Sequence, residues 1–262
     1  MIVNGNAMSK RIHIGTSGWN YKHWLGSFYP EDVKASHQLG YYATFFDSVE
    51  INNSFHTLPS PERLAKWRLT TPKNFLFSIK ASRHISHTKK LKGGGAMGEN
   101  FFSSVAILKE KLGPILFQLP AGFEMDYQRL ELFLKEIPRK FRYVFEFHNG
   151  TWYDEKILAL LKKFNCAFCI YELDGQLSPK EVTTDFVYVR LHGPEERYTG
   201  NYPHEVLEHW ADECRAWQTK GKDVFVYFEN DQHAFAVHNA IALKKLLGQK
   251  VEDSQLELSL VH

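Results

Sequence analysis

The chain has 262 residues, of which 44% are hydrophobic and 24% charged, and its formal net charge is +2. That is an ordinary composition for a water-soluble globular protein, and the length allows one large domain or two small ones. The near-neutral balance argues against nucleic-acid binding by bulk charge. No run reaches the roughly 18 apolar residues of a membrane helix, so no membrane partner is expected.

Residues 1–8 lack an apolar core of signal-peptide length and read as a flexible tail, with Met8 available as a second start. Residues 9–250 read as one domain, since no linker-like composition divides them, and residues 251–262 as a C-terminal extension. The strand-like runs begin with "RIHIGTS" (11–17), "SVEINNSF" (48–55), "FLFSIKAS" (75–82) and "PILFQLP" (114–120). They continue with "YVFEFH" (143–148), "AFCIYEL" (167–173), "FVYVRLH" (186–192) and "DVFVYFEN" (223–230), which makes eight. Helical patterns lie between them. "PERLAKWRLT" opens with Pro61 after Ser60, a start signal. "DYQRLELFLKEI" repeats apolar residues at three-four spacing, and "DEKILALLKKF" runs from acids to lysines, matching the helix dipole. "HEVLEHWADECRAWQTK" and "AFAVHNAIALKKLL" are helical too, whereas "DGQLSPKEVTTD", after the sixth run, has room for one or two turns.

Strands apolar on both faces and alternating with helices argue a parallel sheet, and eight repeats in this length match a single (β/α)8 TIM-type barrel with a short or irregular sixth helix. A doubly wound open sheet would favour a GxGxxG turn after its first strand, and "GTSGWN" is not one. There is no P-loop. Cys166 and Cys169 match CxxC, but residues three apart on a strand face opposite sides, which argues against a redox or metal pair. With Cys214 on a helix, nothing points to disulfides, and a cytoplasmic location is expected.

In such a barrel, side chains at the carboxyl ends of the strands build the site. Glu146 and His148 are spaced by two and so share one strand face. Glu50, Lys80, Arg190 and His192 end other strands, and these six are the candidate catalytic residues. Trp19, Asn52, His87, Gln118, Trp152 and Asn230 are the candidate substrate-binding residues. Lys80 reads as an anion anchor rather than a base, and Arg190 as a two-pronged grip on phosphate or carboxylate. Glu50 and Glu146 suit an acid/base pair, including one for glycoside hydrolysis, and His192 suits proton transfer near neutrality. The bland alternative is that buried Glu–Lys and Glu–Arg pairs only tie the barrel together. No cofactor is expected from any motif. The carboxylates with His148 and His192 would admit a divalent metal, although no HxH or HExxH pattern supports one.

Two loops add options. "GWNYKHWLGSFYP" (18–30) carries rings that stack on sugars or bases, or else plug the barrel top against the helices. "SRHISHTKKLKGGGAMG" (82–98) reads as a solvated mobile loop, or as a cationic lid hinged at its glycines. The expected partner is a small polar or anionic molecule handled by an enzyme. A barrel that binds single-stranded nucleic acid or acts as a nuclease, and a non-catalytic ligand-binding barrel, are the alternatives.

The motifs "IGTSGW" (14–19), "FDSVEINNSFH" (46–56) with "LPSPE" (58–62), "TPKNFLFSIKASRHISH" (71–87), "EFHNGTW" (146–152), "YVRLHG" (188–193) and "VYFENDQHAFAVHNA" (226–240) resemble, in order, the YecE-like proteins, domain-of-unknown-function family 72. The resemblance implies a (β/α)8 barrel. It implies no established activity, beyond a sugar-isomerase role suggested for relatives by analogy with other barrels. The chain departs from the family pattern at four places. His148 stands where an arginine is expected and Asn149 where a histidine is. His56 replaces a tyrosine, and Glu229 replaces the first asparagine of an "FNN". If that arginine binds an anion in relatives, this chain lacks one donor and keeps Arg190 and Lys80.

Overall fold

The computed structural model describes residues 11–55 and 57–251, with side chains for all of these except 94–98. The expected tail at 1–8, His56 and residues 252–262 of the expected extension lie outside the described residues.

Eight parallel strands run around a nearly closed barrel. They are β1 (Ile12–Thr16), β2 (Ser48–Ile51), β3 (Leu76–Lys80), β4 (Leu112–Leu119), β5 (Tyr143–Phe147), β6 (Cys166–Leu173), β8 (Phe186–Leu191) and β9 (Asp223–Phe228). A two-residue strand, β7 (Gln176–Leu177), folds back antiparallel on β6. The order is β1-β9-β8-β6-β5-β4-β3-β2. Between β1 and β2 the ladder shrinks to one bridge, Ser17 to Glu50, beside the Gly18 N–H on the Glu50 carbonyl at 2.8 Å. Above this seam the Tyr42 hydroxyl accepts from the Thr16 N–H at 2.9 Å and donates to the Ser48 carbonyl at 3.1 Å. Gly15 permits the close approach, since a Cβ there would sit 2.2 Å from the Ser48 oxygen.

Among the described residues seven α-helices accompany the strands: α1 (Gln38–Phe45), α2 (Pro61–Thr70), α3 (Gly94–Val105), α4 (Tyr127–Glu136), α5 (Glu155–Phe164), α6 (His204–Thr219) and α7 (Phe235–Leu246). Ser60, Asp126 and Asp154 cap α2, α4 and α5 through their side-chain oxygens, each meeting an otherwise orphaned N–H. In place of the expected short or irregular sixth helix, the chain forms β7 and an irregular return along β6. There Thr183 Oγ1 accepts from the Phe168 N–H at 2.9 Å and donates to the Cys166 carbonyl at 2.6 Å, so backbone groups of β6 are met by a side chain.

The 82–98 segment, expected as a solvated mobile loop or as a cationic lid hinged at its glycines, is largely helical. His84–Thr88 forms a π-helical turn, and the glycines open α3. Ile85 and Leu91 are buried, as are Phe101, Phe102 and Val105 farther along α3, so apolar burial anchors both flanks of the glycine run.

Alternation along each strand divides the core. Ile14, Val49, Phe77, Phe145 and Val226 pack outward against the helices. Leu116, Val144, Cys169, Tyr188, Phe225 and Tyr227 fill the lumen. Cys166 belongs to the outer core and Cys169 to the inner, and both are free, so CxxC forms no pair. No helix among the described residues is long and apolar enough to cross a membrane.

Candidate active site

The same alternation explains why charge collects at one end of the barrel. On β5 the residues next to inward-facing Val144 point out, and Glu146 points in. On β8 the inward series is Tyr188, Arg190 and, one step past the strand, His192. Gln118 and Glu146 are register partners on β4 and β5, and Tyr171 and Arg190 on β6 and β8. The lumen therefore closes upward through a layer of rings into a layer of ions.

Arg190 is the hub of that layer and has no solvent exposure. Its Nε and Nη2 reach both oxygens of Glu50, at 3.0 and 2.8 Å. Nη2 also donates to Glu229 Oε2 at 2.6 Å. Nη1 donates to Glu146 Oε2 at 2.8 Å and lies 3.2 Å from His192 Nε2. Every nitrogen of the guanidinium is thus engaged. The expected grip of Arg190 on an incoming anion is corrected: the fork is saturated by three carboxylates of the protein itself.

Those carboxylates are held from other sides too. Ser17 and Tyr188 donate to Glu50, the latter at 2.6 Å, and Asn52 Nδ2 bridges Ser17 Oγ and Glu229 Oε1 at 2.7 and 2.8 Å. Gln118 Nε2 donates to Glu146 Oε1 at 2.7 Å, the same oxygen that contacts His148 Nε2. His192 Nδ1 lies 2.7 Å from Glu229 Oε2 but off the ring N–H axis, so that contact is coulombic rather than a directed hydrogen bond. Burial opposes charge on Glu146, yet Arg190, His148 and His192 outweigh it and hold the carboxyl well below its ordinary range. Glu229 is lowered likewise, burial being overcome by Arg190 and His192.

Lys80 lies in the opposite situation. It is buried on β3, and no carboxylate among the described residues is within ion-pair distance of its Nζ, which sits 4.6 Å from the centre of the Phe55 ring. Burial and then the charge of Arg190 lower its pKa, against a weaker pull from Glu229, Glu146 and Glu50. His87 packs edge-on to the same Phe55 ring at 4.9 Å and is pushed down to about 4 by burial and by Lys80.

Five of the six candidate catalytic residues therefore join one cluster, with Lys80 beside it. The binding candidates divide. Asn52 and Gln118 belong to the cluster and His87 to the Lys80 rim. Trp19 packs at 4.8 Å against Trp67, next to a cavity of about 350 Å³ that Asn52 and Arg63 also line. Trp152 and Asn230 are corrected. Trp152 is fully buried on the outer side of β5, stacked on Phe147, with its indole N–H on the Phe123 carbonyl. Asn230 is buried too, tying the Gly200 carbonyl to Asn239. Rings of the 18–30 loop mostly plug the top: Trp24, Phe28 and Tyr29 are buried, with Phe28 packed on α1 and Trp24 donating to Asp231.

Glu229, absent from the candidate set, is a central member. It continues the inward series Phe225, Tyr227, Glu229, and period-two counting from β9 selects it over Asn230. Glu146, His148 and His192 also bring ligand atoms within 4.8 Å of one another, a carboxylate–imidazole set able to hold a metal ion.

Three comparisons fit this geometry. UPF0759 protein YunF of Bacillus subtilis is 24% identical over 274 residues, covering 90% of this chain and 94% of that one. UPF0759 protein YecE of Escherichia coli is 30% identical over 145 residues, 54% of this chain and 50% of that one. The crystal structure of a DUF72 family protein from Thermotoga maritima MSB8 matches with a TM-score of 0.83 at 28% identity, covering 91% of this chain and 100% of that one. The family model described as "Protein of unknown function DUF72" matches residues 13–259, and the chain belongs to that family.

Proposed function

We propose that the chain is an enzyme that receives a small polar or anionic substrate, of the sugar or sugar-phosphate kind, at the carboxyl end of its barrel and works on it by acid/base chemistry. One observation carries this reading. Among the described residues Lys80 is a buried cation with no carboxylate at ion-pair distance, set beside a cluster whose three carboxylates all turn to Arg190. An unpaired buried charge is unfavourable in a resting protein and is relieved by an incoming anion or by loss of its proton. Lys80 thus receives the negative oxygen or moves a proton. His148, a slightly exposed member of the cluster, meets the substrate with Glu146 behind it.

We favour a small ligand over single-stranded nucleic acid, because the rings that would stack on bases are packed into the protein instead. The three cysteines are free and buried, in keeping with a cytoplasmic protein.

The test is a thermal-shift and turnover screen of sugar phosphates, neutral sugars and small carboxylic acids against the wild type and Lys80→Met. Compounds that stabilise the wild type and lose their effect in the variant are the expected result. A screen without hits, or hits indifferent to Lys80, overturns the assignment. Lys80-dependent binding without turnover of any hit replaces the enzyme with a ligand-binding barrel.

A further inference from the structure

We propose that Glu146, His148 and His192 form a binding site for one divalent transition-metal ion at the mouth of the barrel. The inference rests on the reading of that mouth as a reaction centre and adds a Lewis acid to it.

The geometry is the first argument. Glu146 Oε1 is 3.5 Å from His192 Nε2. Two ligand atoms each about 2.1 Å from a tetrahedral ion are about 3.4 Å apart, so this edge needs no movement. His148 Nε2 lies closer to Glu146 Oε1 than such an edge and has to swing outward, toward the side on which it is 13% exposed. The side chains behind the ligands are the second argument. Arg190 Nη1 holds Glu146 Oε2 at 2.8 Å and so turns Oε1 toward the two imidazoles. The negative charge of Glu229 Oε2, 2.7 Å from His192 Nδ1, favours a proton on that nitrogen, which would leave Nε2 as the ligand atom.

Charge is the third argument. Glu50, Glu146 and Glu229 are set against the single guanidinium of Arg190, and a dication brings that buried group to neutrality. The ion displaces two contacts, the Arg190 Nη1 approach to His192 Nε2 and the His148 Nε2 contact with Glu146 Oε1, while Arg190 keeps all three carboxylates. Two imidazoles and one carboxylate suit zinc, cobalt, iron or manganese rather than calcium or magnesium, which prefer oxygen alone. Three protein ligands leave coordination positions open, as catalytic sites do. With the ion bound, His148 acts as a ligand, and proton movement falls to Lys80.

The experiment titrates the chelator-stripped full chain with Co2+, read by visible absorption and calorimetry, with Zn2+ and Mg2+ as competitors. Expected are one equivalent bound, displacement by Zn2+ and not by Mg2+, and weakening by about 10-fold or more in His148→Ala. Glu229→Gln, which removes no ligand, is expected to weaken binding by about 10-fold at unchanged stoichiometry. His204→Ala, at an exposed histidine, is the control and leaves affinity unchanged. No uptake at about 1 mM Co2+, or uptake indifferent to both His148→Ala and Glu229→Gln, overturns the site. Circular dichroism confirms that each variant is folded, and Glu229→Gln carries the test if His148→Ala is not. Repeating the Lys80 screen on stripped protein separates the two proposals. Lys80-dependent hits without metal uptake sink the metal site and keep the acid/base reading. Metal uptake with no hits does the reverse.

Discussion

Two cations face the same end of this barrel, and their surroundings are opposite. On the β8–β9 side, Arg190 is enclosed by Glu50, Glu146 and Glu229, with each nitrogen engaged. On the β3 side, Lys80 rests over Phe55 with no carboxylate among the described residues in reach. The first arrangement engages every nitrogen of its cation and holds the barrel end together, with three carboxylates sharing one guanidinium. The second leaves a charge unmet in the resting protein, which is what a ligand site needs. Removing each cation tests the difference. Arg190→Met strands three buried carboxylates, and the expected loss is about 3–5 kcal/mol or more, a fall in Tm of roughly 10 °C, measured by thermal denaturation. A fall no larger than that of Arg197→Met, at an exposed arginine, would show that the ion cage contributes little.

Lys80→Met is expected to move stability the other way. A buried, unpaired ammonium is replaced by an apolar chain of similar length, and no partner is stranded. Tm is expected to rise by a few degrees, about 1 kcal/mol, while ligand binding disappears. A drop in Tm would mean that Lys80 is as well met as Arg190, and the contrast between the two sides would collapse.

Much of this was legible in the sequence, and the limit has a physical form. Period-two alternation found the inward residues on β2, β3, β4, β5 and β8, because a parallel strand buried on both faces has no reason to carry an ion unless it is met inside. The same rule, not carried one step past β9, missed Glu229 in favour of Asn230, whose side chain instead fastens two loops. Trp152 misled because a large ring near a strand end serves as well for packing on Phe147 as for meeting a ligand. What the sequence does not carry is pairing. Nothing in the spacing of Glu50, Lys80, Glu146 and Arg190 says that three carboxylates choose the arginine and none the lysine. Strand register and the depth of each residue decide that. The glycine run that opens α3 misled for a related reason, since its anchors, Ile85 and Phe102, lie well to either side of it in the chain.

Asp231 offers a gentler version of the contrast. It sits two residues past Glu229, but its partners are the Trp24 indole N–H at 2.7 Å and His23 at 3.1 Å rather than Arg190. Burial raises its pKa to about 6, with Glu229 adding to the effect and Trp24 and His23 opposing it. A carboxyl raised in the folded state binds its proton more tightly there than in the unfolded chain. Its stabilising contribution is therefore complete below the ordinary aspartate value near 4 and is lost as pH rises through about 6. Asp231→Asn keeps an acceptor for Trp24 and removes the titration. The variant is expected to match the wild type near pH 4 and to exceed it by about 1 kcal/mol above pH 7, a modest figure because the group is partly exposed. The gap between the two Tm values should open between pH 4 and 6 and then stay level. A gap that is constant across the range, or that opens only below pH 4, would place Asp231 with the well-paired carboxylates around Arg190 and remove the intermediate case between the two sides of the mouth.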